Sequence, residues 1–312
     1  MVKKLATLIV AACLGMIPGL ARPAQQVGDP EFKFDVAEPA YGPDQGPLVL
    51  VDEAHANFHT ISGRFQSFAS VVRADGFRVE PSTTEITKEA LERCAIFVIS
   101  NARSSSANPS AFTDNEIAAL REWVAEGGSL LLIADHMPLA GAAVRLAEGF
   151  DIQFNNGFAF ELGDAPNSEW STTGTRPTLF SRDAGTLGDH PISNGRNPDE
   201  RVDSVRTFTG QAFQAEAPIV PLMVFSPAFV SLMPSVAWQF TEETPRLSVD
   251  GWYQGAALEL GEGRAAFFGE AAMFTAQVSG PERIPVGMNS PMAEQNPQFV
   301  LNVLRWLSGA LQ

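Results

Sequence analysis

Four aliphatic residues run straight into a polar cluster in "LVLVDEAHANFHT", residues 48 to 60. Asp52, Glu53, His55, Asn57 and His59 follow one another there, and two of the chain's four histidines are among them. The same arrangement recurs elsewhere. Asn101 follows "AIFVIS", Asp135 and His136 follow "SLLLIA", and Glu270 follows "RAAFFG". Imidazoles and carboxylates are the usual ligands of a zinc-like divalent ion, which commonly keeps one position for water. His55 and His59 are four apart, so one helical turn would place both rings on one face. With Asp52 and Asp135 they form the candidate ligand set. A metal held there would lower the pKa of its water and polarise a substrate oxygen. Glu270, His136 and Glu53 are then the candidate acids and bases, and Asn57 and Asn101 the candidate substrate hydrogen-bonders. A metal-free variant uses His136 as base, oriented by Asp135 or Glu53. An acidic residue after a strand also serves as a helix cap or loop anchor, a role open to Asp52 and Asp135 singly. The case for chemistry rests on the cluster.

The elements that must position these residues alternate along the chain. "PLVLVD", "FRVEP", "AIFVISN" and "SLLLIADH" are short strand-like runs. Between them lie helical spacings in "TISGRFQSFASVVRADG", "TKEALERC" and "TDNEIAALREWVAEGG", and "PLAGAAVRLAEG" follows. Thr113 and Glu116 form a capping box, and Gly127–Gly128 supply the stop. "GAALELGEGRAAFFGEA" predicts a hairpin turning at "GEG". "NPQFVLNVLRWLSG" predicts a last helix with Asn296 as its cap. This order predicts an α/β fold, a doubly wound and mostly parallel sheet with helices on both faces. Ligands of such sheets bind outside the carboxyl ends of the strands, so the polar groups above should converge on one rim. Residues 163–245 lack periodicity and predict loops and short strands that decorate the sheet. His190, in "GDHPISNG", precedes a proline turn and is expected to be structural. Trp170, Trp252 and Tyr253 would suit sugar stacking if they reach the rim.

Residues 1–21 predict a signal peptide: Lys3 and Lys4, an apolar stretch broken by Pro18, and small residues ending at Ala21. A secreted or periplasmic protein follows, with lipidation at Cys13 the lesser expectation. Residues 22–46 predict an extended leader, and 47–312 one domain. A net charge of −15 leaves no basic stripe for nucleic acid and disfavours an anionic membrane surface as partner. The chain carries no P-loop, no G-x-S-x-G and no H-E-x-x-H. "GEGRAA" precedes a strand and does not open a helix, so no nucleotide cofactor is expected. Cys94 enters the third strand at the end opposite the rim and is expected to be a small hydrophobe.

"LVLVDEAHANFH", "FTDNEIAALREWVAEGGSLLLIADH", "DHPISNG", "GRAAFFGEAAMFTAQ" and "NPQFVLNVLRWL" span most of residues 47–308. Together they resemble the class I glutamine amidotransferase-like superfamily. The likeness is closest to exported branches near the gliding-motility and trehalose-utilisation-like domains. That resemblance implies a flavodoxin-like fold with a rim site. True amidotransferases carry a nucleophilic cysteine on a strand-to-helix elbow, whereas here the third strand leads into "SNARSSS". Glutamine hydrolysis by that route is therefore expected to be lost, and fold alone licenses no reaction. Some relatives act on sugars with a divalent metal, and others are binding or scaffold domains. The leading expectation is an exported, metal-assisted hydrolase of a small polar substrate such as a carbohydrate. The alternative is a non-catalytic cell-envelope module that uses the same rim to bind a saccharide or protein.

Overall fold

The computed structural model describes residues 26–105, 109–162 and 177–312. The expected signal peptide and Trp170 lie outside these residues. Nine strands build the central sheet: β1 (Leu48–Asp52), β2 (Arg78–Ser82), β3 (Ile96–Ser100), β4 (Ser129–Ile133), β5 (Ile152–Phe154), β6 (Phe213–Ala215), β7 (Val220–Val224), β8 (Tyr253–Leu260) and β9 (Gly263–Phe268). Their order is β2-β1-β3-β4-β9-β8-β6-β5, with β7 also paired to β8. The first five in this order are parallel, and from β9 onward the pairing is antiparallel. The predicted hairpin supplies the change of direction, with Gly261 at its turn in a left-handed conformation (φ +60°). The chain is thus a mixed α/β protein on a largely parallel sheet. Two strands of the segment 163–245, β6 and β7, join that sheet.

The helices are α1 (Gln66–Ala74), α2 (Lys88–Leu91), α3 (Asp114–Ala125), α4 (Leu139–Glu148), α5 (Pro191–Asn194) and α6 (Asn296–Leu307). β1, β3 and β4 are buried along their whole length, as continuous apolar runs require. Alternate residues divide between two cores. Val49 and Val51 pack with Phe68 and Val72 of α1 and Phe299 and Val303 of α6. Leu48 and Leu50 pack with Leu91 of α2, Leu120 and Val124 of α3 and Leu146 of α4.

α3 starts where its capping box predicts. Thr113 Oγ accepts the Glu116 amide at 3.3 Å, and the Glu116 carboxylate accepts the Thr113 amide at 2.9 Å. α6 differs from expectation by one residue: Gln295 precedes the first turn, and Asn296 is not the cap. The Asn296 amide is engaged elsewhere, accepting the Arg206 N–H and donating to the Arg206 carbonyl. One side chain there satisfies two backbone groups of the strand Ser204–Thr207, which a cap could not. Beneath α6, the fully buried Arg305 forks onto Asp75 at 2.6 and 2.8 Å and reaches Glu200 at 2.8 Å.

Candidate functional site

Register brings the predicted residues to one level. Ser100 pairs with Ile133, and Ile133 with Phe268, so Asn101, Asp135 and Glu270 leave the sheet together at its carboxyl end. Asp52 ends β1 on the same rim. The parallel half therefore carries the site, which falls into two groups.

The first group surrounds His55. Its Nδ1 lies 2.9 Å from both oxygens of Asp52, and its Nε2 lies 3.0 Å from Glu116 Oε1. Asp52 is fully buried and also accepts the Ala54 backbone amide and the Asn57 Nδ2–H. Burial alone would lower the His55 pKa, but the Asp52 hydrogen bond and charge, followed by those of Glu116, raise it above 6.5. Glu116 moves the other way. Burial would raise its carboxyl, yet the Thr113 amide and hydroxyl, the Ile86 amide and His55 lower it below the ordinary value. The capping glutamate of α3 is thus also the second partner of His55. The sequence marked Glu116 as a cap only, because the β1 loop that reaches it lies 61 residues away.

Asn57 and Asn101, expected to bind substrate, make hydrogen bonds within the rim. Asn57 donates to Asp52 and to the Ser100 carbonyl. Asn101 Oδ1 accepts the Asp135 amide at 2.9 Å, from a left-handed backbone at φ +51° that asparagine tolerates better than most residues. Glu53 accepts the Ile61 amide at 2.7 Å, anchoring the loop that leads to α1.

His59 does not join His55. No helical turn forms between them, because Ala56 is left-handed at φ +49° and the chain reverses. His59 is buried instead, stacked on Phe65 at 4.9 Å with Nδ1 2.9 Å from Ser100 Oγ. Burial, followed by the charges of Arg64 and Arg103, pulls its pKa down to about 3. Among the described residues, no group of three or more His, Cys, Asp and Glu side chains could hold a metal ion. The set Asp52, His55, His59 and Asp135 does not fit one centre: both nitrogens of His55 face carboxylates, and His59 lies beside two cations.

The second group is Asp135, His136 and Glu270. His136 Nδ1 lies 2.8 Å from the Met137 carbonyl, which fixes a proton on Nδ1 in the neutral ring and leaves the Nε2 lone pair free. Asp135 Oδ1 accepts the His136 amide at 2.8 Å and stands 3.9 Å from Nε2. Glu270 is 1% exposed, and its two oxygens accept the Ala272 and Met273 amides, each at 2.8 Å. Burial, and next the charge on Asp135, push its carboxyl well above the ordinary range. Glu270 therefore lies beneath the rim and does not reach the surface, unlike the direct acid or base that its sequence position suggests.

Residues that the sequence did not mark complete this group. Phe158 stacks on His136 at 4.5 Å, and Trp238 meets the same ring edge-on at 4.6 Å. Trp238 is 47% exposed and left-handed at φ +65°. Trp252 and Tyr253, the described aromatics expected at the rim, pack against the two cores. The only sequence signal of Trp238 is a tryptophan in the non-periodic stretch "MPSVAWQF". Buried Gln211 donates to the Ala134 carbonyl, and Gly210 before it leaves no room for a Cβ, which would meet the Gly269 carbonyl at 2.4 Å. His190, away from the rim, accepts the Ile192 amide and caps α5; burial, then Arg264, lowers its pKa to about 4. Cys94 is held near the Leu91 carbonyl, and burial raises its thiol to about 12.

Fold and rim together define a mixed α/β protein whose site lies at the carboxyl end of a largely parallel sheet. Among solved structures, the chain is similar to one described as the mmIFT52 N-terminal domain. The TM-score is 0.57 at 16% identity, covering 84% of this chain and 97% of that one, a likeness of fold alone. Putative ThuA-like proteins from Bacteroides uniformis and Parabacteroides merdae also align. Their TM-scores are 0.45 and 0.40, at 13% and 11% identity, over 90% and 84% of this chain and 95% and 89% of theirs. No family model and no curated protein matches the chain.

Proposed function

We propose that the chain is an exported hydrolase of a small polar substrate, a carbohydrate first among them, and that His136 is its base. The observation that carries this reading is the His136 ring. One nitrogen is committed to a carbonyl and the other is free, beside a carboxylate and an exposed tryptophan. His136 Nε2 takes a proton from water, whose oxygen attacks the substrate carbon. The imidazolium, facing Asp135, returns the proton to the departing oxygen. Burial of Glu270 beside Asp135 disfavours a second negative charge there. Trp238 offers a flat apolar face to a sugar ring. No step passes through a metal, since the ligand set read from the sequence does not assemble.

A second reading, a saccharide-binding module, is favoured by the internal engagement of Asn57, Asn101 and both nitrogens of His55. Turnover of a panel of chromogenic glycosides and esters separates the two. Hydrolysis that falls roughly 100-fold or more in kcat in His136→Gln, with KM little changed, supports the base role. No turnover, with saturable saccharide binding lost in Trp238→Ala, favours the binding module. About one metal per chain in the purified protein, lost in His55→Ala, would return the metal-assisted mechanism to first place.

A further inference from the structure

The loops after β1 and β3 bring together two arginines that the hydrolase reading does not use. The guanidinium carbon of Arg64 lies 3.9 Å from the centroid of the Phe58 ring, and that of Arg103 lies 5.0 Å from the same ring. Phe58 is 37% exposed, so this assembly stands at the surface. It also belongs to the rim. The Phe58 amide donates to the Asn101 carbonyl, and the Arg103 amide donates to the His55 carbonyl.

Neither arginine pairs with a carboxylate among the described residues. Arg64 donates one Nη to the Gln26 carbonyl, and its Nε is shut away from solvent with no partner. Two cations held on one ring without a counter-ion oppose each other. Burial and then the charge of Arg103 lower the Arg64 pKa, and the same two cations act on His59. In a chain of net charge −15, carboxylates are plentiful, yet none among the described residues closes on this pair. A guanidinium fork matches an oxyanion in two-point geometry, and stacking on an aromatic face fixes its plane while leaving its edge free to donate.

We infer that Arg64, Phe58 and Arg103 form an anion subsite on the rim, which takes the carboxylate, sulfate or phosphate group of a small ligand. The inference goes beyond the hydrolase reading and does not depend on it, because binding can be measured without turnover. Calorimetric titration of the purified protein with sodium sulfate, phosphate and D-glucuronate provides the test. Saturable binding of at least one of them, weakened tenfold or more in Arg103→Gln and unchanged in Arg246→Gln, is the expected result. Arg103 and Arg246 are both exposed, so neither change threatens the fold, and circular dichroism checks this. Arg64→Lys, which keeps the charge and loses the fork, should weaken binding as well. Absence of saturable binding to all three anions overturns the inference. So does an equal loss in Arg246→Gln, which would mark a general effect of charge.

Discussion

His59 and His55 sit four residues apart and answer pH in opposite directions. His59 is neutral in the fold, with a pKa of about 3 against 6.5 in the unfolded chain. Its contribution is complete above pH 6.5 and is lost as acid protonates the unfolded state, until the folded ring itself titrates. By pH 5 that loss is about 2 kcal/mol, a figure that holds for any folded pKa well below 5. The difference in unfolding free energy between wild type and His59→Phe should therefore shrink by that amount between pH 7.5 and 5. A constant difference would mean that His59 is not a buried neutral ring. His55 carries the other sign: its folded pKa is raised, so its contribution is complete below 6.5 and is lost as pH rises through the folded value. An NMR titration should give His55 a midpoint above 6.5, and His55→Gln should cost more at pH 6 than at pH 8.5. The polar cluster was legible in the sequence because apolar runs mark where strands stop. The partners were not, since a single left-handed residue, Ala56, decides which way two imidazoles point.

At the scale of elements, α3 was read to its ends because two independent signals agree: a reciprocal cap at Thr113 and Glu116, and paired glycines after Ala125. Thr113→Ala should destabilise the protein by about 1 kcal/mol, measured by urea denaturation. It also removes a hydroxyl that donates to Glu116 at 2.8 Å, so the His55 titration midpoint should shift in that variant. An unshifted midpoint would separate the cap from the His55 site. The start of α6 was misplaced by one residue, for a reason invisible in a linear pattern: Asn296 serves a strand that lies about 90 residues earlier. β5 is not legible in the sequence because three residues are too few to show a period of two. The loop that carries Trp238 has no period at all, and with it went half of the aromatic wall around His136.

For the molecule as a whole, Arg305 joins α6 to Asp75 beyond the end of α1, and to Glu200. Both partners of the Arg305–Asp75 pair are sealed from water. Arg305→Leu would leave the buried Asp75 without its cation, at a cost of about 3–5 kcal/mol, read from chemical denaturation. A loss below 1 kcal/mol would show that water enters to replace the arginine. The order of strands has a different consequence, for the nascent chain. β9 lies between β4 and β8, so the middle of the sheet is made from residues that the ribosome delivers late. Until residues 263–268 emerge, the edge at Ser129–Ile133 stays open, a short apolar strand with unmet backbone groups. Glu270, just past β9, arrives last of the rim residues and closes the rim when the edge is covered.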